Sequence, residues 1–256
     1  MAKRRRKWDA DVYQQYMSEG RGQGSGAEYK PWINIQDFAS NGMVSRVKGQ
    51  TTRRIHHLMS NYETSLFYLL DWSDDVLDIR EQYPLSNLPE AIEIAEKAQI
   101  RYPFDPASGF PYVLTSDFCI ETPDGVEMIA VKPSSELVKA RVREKLEIER
   151  RYWVSQKIKW RIITEFEIDI SKARNIEWLA QSRNLLDFGM DTELQNRCTD
   201  FVLLNYPKYS ECLDKLFSET EQKYGLEAGM GMNVYKYLIY HKLIKTDIDI
   251  PINIMR

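Results

Sequence analysis

YVLTSDFCIETPDGVEMIAVKP, residues 112–133, decides the fold. Runs rich in Val, Ile, Phe and Tyr lie on either side of TPDG, Thr122 to Gly125. A Pro-Asp-Gly turn between two such runs makes them the arms of one β-hairpin, Tyr112 to Ile120 and Val126 to Lys132. Pro133, which cannot donate to a ladder, ends the second arm. Antiparallel pairing carries Asp117 and Lys132 toward the same end of the sheet, so a carboxylate can meet an ammonium there.

Outward from the hairpin, helices and strands alternate. Upstream, Val76 to Ile79 reads as a strand. Before it, SNYETSLFYLLDW (Ser60 to Trp72) places Leu66, Phe67, Leu69 and Leu70 on a broad apolar helix face. Ser60 and Glu63 stand in the S-x-x-E relation of a capping box, which gives Glu63 a purely local role. Downstream, Ser134 to Gln156 reads as a helix and WRIITEF (Trp160 to Phe166) as a buried strand. Residues 8–20 form a short helix, followed by GRGQGSGAEYKPW (Gly20 to Trp32), whose glycines forbid a helix and permit close backbone approach to something. This segment lacks the GxxxxGK[ST] pattern of a nucleotide cradle. The whole front is α/β, with a domain expected over residues 1–168.

From about Ile168 the character changes, and residues 169–256 read as a second domain. Helices are expected at Ile176 to Leu185, Asp191 to Asn205, Tyr209 to Tyr224 and Glu227 to His241. Ile244, Ile248, Ile250 and Ile252 suggest a terminal strand or hairpin, and helices ending in a β wing would make a winged-helix-like module; a plain helical bundle is the alternative.

Composition narrows the function. With 43% hydrophobic and 29% charged residues the chain is globular, and no run of about eighteen apolar residues is present to span a bilayer. The basic start leads into polar sequence, so a cytoplasmic protein with no membrane partner is expected. Cys119, Cys198 and Cys212 are isolated, which supports neither a disulfide framework nor a structural zinc site. The net charge of −3 hides an asymmetry: residues 1–60 hold eleven Lys and Arg against five acids, an excess of six. Such a front attracts a polyphosphate backbone, with Arg21, Lys30, Arg53, Arg54, His56 and His57 as candidate DNA contacts. The run KRRRK (Lys3 to Lys7) reads equally as a clamp or as a disordered tail.

Asp117 with Lys132 is the combination that nucleases of the PD-(D/E)xK kind use: oxygen ligands hold Mg²⁺ or Mn²⁺ beside the scissile phosphate, and the ammonium orients water and offsets developing charge. Glu63 would supply the second carboxylate. At Ala130, two residues before Lys132, such nucleases carry an acid; a methyl group cannot bind a metal, which leaves the Val131 carbonyl as a substitute ligand.

Several blocks are more specific. GRGQGSGAEYKPW, RRIHHLMSNYETSLFYLLDW (Arg53 to Trp72), VLDIREQYPL (Val76 to Leu85), LTSDF (Leu114 to Phe118), VKP (Val131 to Pro133), EKLEIERRYW (Glu144 to Trp153) and NIEWL (Asn175 to Leu179) together resemble the TnsA family of transposon endonucleases. The resemblance implies a restriction-endonuclease-like N-terminal domain and a helical, winged-helix-like C-terminal one. It places the catalytic acids on Glu63 and Asp117 and the catalytic lysine on Lys132, and it moves Glu63 from helix cap to metal ligand. Glu149 matches an acidic family position and stands either behind the ligands or in a surface ion pair with Arg150 or Arg151. The implied substrate is double-stranded DNA at transposon ends. The implied partners are a DDE transposase subunit (TnsB-like) and an AAA+ regulator (TnsC-like), the latter contacting the C-terminal region. A stand-alone restriction-type or junction-resolving nuclease, and a non-catalytic DNA-binding adaptor, are the competing expectations.

Overall fold

A computed structural model of the chain describes residues 8–37, 43–209, 211–250 and 252. It divides into two compact units, Met1–Ile168 and Asp169–Arg256. The basic run Lys3 to Lys7 lies outside the described residues.

The first unit is built on a four-stranded mixed sheet, in spatial order β3 (Asp78–Pro84), β4 (Thr115–Thr122), β5 (Gly125–Val131) and β6 (Lys159–Ile163). The first three strands are antiparallel, and β6 runs parallel to β5. The Thr122 to Gly125 turn forms as read, Gly125 taking φ +115°, a region closed to most side chains. A parallel pair needs a long crossover, and α4 (Ala140–Ser155) supplies it between β5 and β6. Tyr152, Trp153 and Ile148 of α4 pack with Cys119 and Met128 of the sheet and with Leu88, Ala91 and Ala95 of α3 (Leu88–Lys97). Phe118, Ile120 and Ile129, pointing the other way by strand alternation, are buried too.

Ahead of this sheet stand α1 (Ala10–Ser18), a two-stranded ribbon of β1 (Ser45–Lys48) and β2 (Ile55–Leu58), and α2 (Asn61–Asp71). The glycine-rich loop runs beside β3. Gly26 N–H donates to Asp78, the Tyr29 hydroxyl to the Glu81 carbonyl, and Trp32 N–H to the Gln82 carbonyl. Gly22 has φ +74° and lies so close to the Pro84 ring that a β-carbon would collide with it; this is the close approach its composition foretold.

Several expectations shift. The strand expected at Val76 to Ile79 runs from Asp78 to Pro84, because two polar pairs, Arg80 with Glu121 and Glu81 with Arg54, satisfy charges that broke the apolar pattern. The helix expected from Ser134 opens as a separate 3₁₀ turn, Ser134–Glu136, and α4 starts at Ala140. WRIITEF is an edge strand rather than a buried one: Ile163 is buried, whereas Lys159 and Arg161 are exposed and Trp160 and Ile162 half-buried.

The second unit consists of α5 (Ile170–Ala180), α6 (Thr192–Tyr209), α7 (Leu213–Tyr224) and α8 (Met230–Tyr240), around Cys198, Val202, Leu216, Val234 and Leu238. Gly231 lets α8 meet α7, since a β-carbon there would lie 2.5 Å from the Phe217 carbonyl oxygen. The expected wing is absent among the described residues. Ile244 and Ile248 are buried, but the segment crosses α5 without a strand partner, and the Asn175 side-chain amide satisfies the carbonyls of Ile248 and Ile250, each at 2.8 Å. Pro251 and residues 253–256 lie outside the described residues. The unit is a helical bundle with a strapped-on tail. No described helix is long and apolar enough to cross a membrane.

Candidate active site

Asp117 occupies a fork in the sheet. The β4–β5 ladder begins at Phe118 with Ile129, while β5 continues past that point paired with β6, Ala130 opposite Ile162 and Val131 opposite Ile163. At the fork the Asp117 carboxylate replaces the missing ladder bond and accepts from Val131 N–H at 2.6 Å. On its other side, β3 pairs at Glu81 with Phe118 and at Tyr83 with Ser116, but between them Gln82 turns to φ +50° and leaves the ladder. The backbone thus parts from Asp117 on both sides and leaves a polar notch in the sheet.

Lys132 closes that notch. Its ammonium donates to Asp117 Oδ2 at 2.7 Å and to the Val131 carbonyl at 2.9 Å. The lysine side chain keeps 34% of its exposure. Burial works against its charge. Asp117, by field and hydrogen bond, with Glu149 and Glu63 behind it, outweighs burial and holds the pKa above the ordinary lysine value.

Glu63 reaches the site from the first turn of α2 and is buried. The Ser60 half of the capping box forms, but the carboxylate folds back on the Met59 amide and not on that of Ser60: Ser60 Oγ accepts from Glu63 N–H and donates to Glu63 Oε1 at 2.9 Å. Met59 N–H donates to Oε2 at 2.9 Å, with the Gln82 side-chain amide at 3.4 Å. The same carboxylate feels Asp117 and Lys132. Burial first, then the charge of Asp117, lifts its pKa to about 7 against the pull of those hydrogen bonds and of Lys132.

Glu149, on the buried face of α4, is not in the surface ion pair considered for it, because Arg150 and Arg151 both bind Glu147. Instead it is buried, accepting from Ser116 Oγ at 2.6 Å and Trp160 Nε1 at 2.9 Å. Burial and the charge of Asp117 lift its pKa to about 7. Three carboxylates therefore share one lysine, and two of them hold protons to well above the ordinary carboxylate range because burial and the charge of Asp117 outweigh what Lys132 and their hydrogen bonds offset.

Such a site suits a hard cation by the chemistry of its donors, which are carboxylate and carbonyl oxygens. Glu63, Asp117 and the Val131 carbonyl are the available donors, and Ala130, buried two residues before Lys132, adds none. No group of three or more His, Cys, Asp or Glu side chains is spaced to hold a metal ion among the described residues.

The candidate DNA contacts fall into two sets. Arg21 is tied to Glu19 and Asp37 and stacked over Tyr16, and Arg54 and His56 are buried around Glu81. His57 is half-buried, its Nδ1 accepting from Ile35 N–H, and burial lowers its pKa. In this fold those four present no free charge to a ligand; they fell on structural networks that a charge count cannot see. Lys30 and Arg53 are exposed, the Lys30 ammonium donating to the Glu19 carbonyl at 2.9 Å. Gln82, Ser116 and Trp160 carry polar contacts to the site's acids, and nothing in their local sequence marks them.

A family model described as TnsA-like endonuclease N terminal matches residues 73–165, and one described as TnsA endonuclease C terminal matches residues 167–248. The chain is also 36% identical, over 236 residues, to Transposon Tn7 transposition protein TnsA of Escherichia coli, a match that covers 91% of this chain and 84% of that one. With both units matched in order and most of the chain aligned to a relative at that identity, the chain belongs to the TnsA family of transposon endonucleases.

Proposed function

We propose that the chain hydrolyses the phosphodiester at the 5′ ends of a transposon, as a divalent-metal-dependent nuclease of the PD-(D/E)xK kind with a restriction-endonuclease-like first unit. The observation that carries this reading is the Asp117–Lys132 pair at the sheet fork with Glu63 beside it, in a chain of this family. Glu63, Asp117 and the Val131 carbonyl would hold Mg²⁺ or Mn²⁺. When bound, the ion supplies Lewis acidity at the scissile phosphate and a more acidic water.

The side chains do the rest. Lys132 stays protonated at neutral pH, so it acts as a fixed cation and hydrogen-bond donor, orienting water and offsetting charge that develops on the phosphate oxygens. Its two present acceptors, Asp117 and the Val131 carbonyl, aim it at the notch. Ser60 and Met59 N–H lock the Glu63 rotamer before substrate arrives, and Ser116 and Trp160 do the same for Glu149, which holds Asp117 in a negative field without touching it.

Cleavage and joining of the 3′ strands fall to a DDE transposase subunit of the TnsB kind, with an AAA+ regulator of the TnsC kind docking on the helical second unit. The test is the assembled transposase carrying Asp117→Ala or Asp117→Asn. Cutting of the 5′ strand should fall by at least about a hundredfold while 3′ cutting continues. Undiminished 5′ cutting removes Asp117 from the reaction.

A further inference from the structure

The ribbon of β1 and β2 has a job that the active site leaves unexplained. From Ser45 to Leu58 its sequence, SRVKGQTTRRIHHL, contains no acid, in a chain whose net charge is −3. The two strands alternate cleanly. Val47, His56 and Leu58 are buried on the inner face, while Arg46 and Lys48 are exposed on the outer one, opposite His57 and Ile55 in the register. Arg53, at the end of the turn with φ +59°, is also exposed. None of these three cations sits in an ion pair or hydrogen bond with another described residue. Other cations of the unit are paired, among them Arg21, Arg80 and Arg150, which face Asp37, Asp78 and Glu147.

The ribbon is also fixed to the catalytic sheet. Glu81 of β3, wholly buried, takes two hydrogen bonds from Arg54, one from the His57 backbone N–H, and contacts His56 Nδ1 at 2.7 Å. The turn is held from below by Asp71, whose carboxylate accepts from the N–H groups of Gln50 and Thr51. β2 then runs straight into Met59, whose N–H binds Glu63. A buried charged network of this kind adds little net stability, but it fixes geometry, and what it fixes here is a basic ribbon bonded to β3, the strand beside Asp117, and joined through Met59 to Glu63.

We propose that the outer face of this ribbon, Arg46, Lys48 and Arg53, is a binding site for the phosphate backbone of the duplex being cut. The proposal rests on the nuclease reading for its geometry, and on charge complementarity for its ligand. A two-stranded ribbon matches the dimensions of a DNA groove, and exposed Ile55 beside Lys48 offers an apolar surface to sugars. Long cations on an acid-free face read phosphates, not bases, so the contact fixes register and carries no sequence information.

Binding of the full chain to a short duplex, followed by fluorescence anisotropy between about 50 and 200 mM salt, tests this. Each phosphate contact contributes about −0.9 to the slope of log affinity against log salt. Arg46→Gln with Lys48→Gln removes two, so the slope should become shallower by about 1.8, equivalent to a roughly twelvefold smaller loss across that range, and equally so for unrelated sequences. Arg150→Gln with Arg151→Gln, which takes the same charge from an existing pair, should leave the slope unchanged. The thermal midpoint of the ribbon variant should match the parent's, because both side chains point to solvent. An unaltered slope in the ribbon variant, or no binding by the parent at the lowest salt, overturns the proposal. Asp117→Ala separates the two readings: if the nuclease reading is right it loses cutting and keeps binding, whereas loss of binding in the ribbon variant with cutting intact in Asp117→Ala leaves the surface standing and removes the centre.

Discussion

Replacing Glu149 by Gln should make the metal-free protein more stable, and only on the alkaline side. Burial and the Asp117 charge lift the Glu149 pKa from 4.5 to about 7. Between those values the folded state holds a proton that the unfolded chain has released. Stability therefore falls as pH rises through the window and levels off above about pH 8. A lift of that size corresponds to about 3 kcal/mol for the one group. Glutamine keeps an oxygen to accept from Ser116 and Trp160 and cannot ionise. The variant should match the parent near pH 5 and exceed it by about 1–3 kcal/mol at pH 8, a gain of roughly 3–10 °C in the thermal midpoint for a unit of this size. Intrinsic fluorescence in chelator-treated buffer is the assay, since Trp8, Trp32, Trp72, Trp153 and Trp160 report the first unit and Trp178 alone the second. The depressed His57 pKa pushes the absolute curve the other way, because an imidazole kept neutral in the fold favours higher pH, but it cancels in the difference between variant and parent. Saturating Mg²⁺ should narrow the gap at pH 8 by stabilising the parent more. A variant less stable than the parent at pH 8, or a difference flat from pH 5 to 8, would refute the account of Glu149 as a group that burial and Asp117 hold in its protonated form.

Glu81 shows the opposite linkage. His56 and Arg54 overcome the cost of its burial and pull its pKa down to about 2, so its contribution is present above pH 4.5 and lost as pH falls toward 2; Glu81→Gln, which strands Arg54 and His56, should cost about 3–5 kcal/mol at pH 7 by denaturant titration, with a penalty that shrinks at acid pH. Ala130→Asp should place a further acid in the notch. The metal-free fold should lose about 1–3 kcal/mol at pH 8 while the midpoint rises more steeply with Mg²⁺ than the parent's, and a variant insensitive to Mg²⁺ would exclude the Ala130 position from the ion's surroundings.

The hairpin was legible because strand alternation, a Pro-Asp-Gly turn and a terminal proline agreed, and agreement among independent local signals is what makes a segment readable. The β1–β2 ribbon was not, because SRVK and IHHL alternate over four residues apiece and one of the three buried inner-face residues is a histidine, His56, that becomes apolar in effect only when Glu81 and Thr52 satisfy both ring nitrogens. The same network hid Arg54, which a charge count assigned to DNA. Helix α3 escaped for another reason: LPEAIEIAEK carries acids at Glu90, Glu93 and Glu96 that mask a stripe of Leu88, Ala91 and Ala95 packed under α4. The terminal isoleucines misled in the reverse sense. Alternation along Ile244 to Ile252 signals half-buried extended chain, and the chain is half-buried, but Asn175 and not a neighbouring strand takes its carbonyls.

Glu63 exposes a limit of a different kind. Local sequence offered two readings, helix cap and metal ligand, as though one excluded the other. The structure shows the cap, with Ser60 and Met59 holding both carboxylate oxygens, and shows the same group within the fields of Asp117 and Lys132. The two roles have compatible requirements. A cap confines the side chain to one rotamer at the helix start, and a ligand needs that confinement before the ion arrives, since a rotamer frozen in advance costs nothing at binding. The capping bonds also stabilise the ionised form and so offset part of the penalty set by burial and by Asp117. In the proposed nuclease the cap bonds from Ser60 and Met59 are then the device that keeps a buried glutamate close to ionisation at neutral pH, and their presence supports the ligand role instead of competing with it.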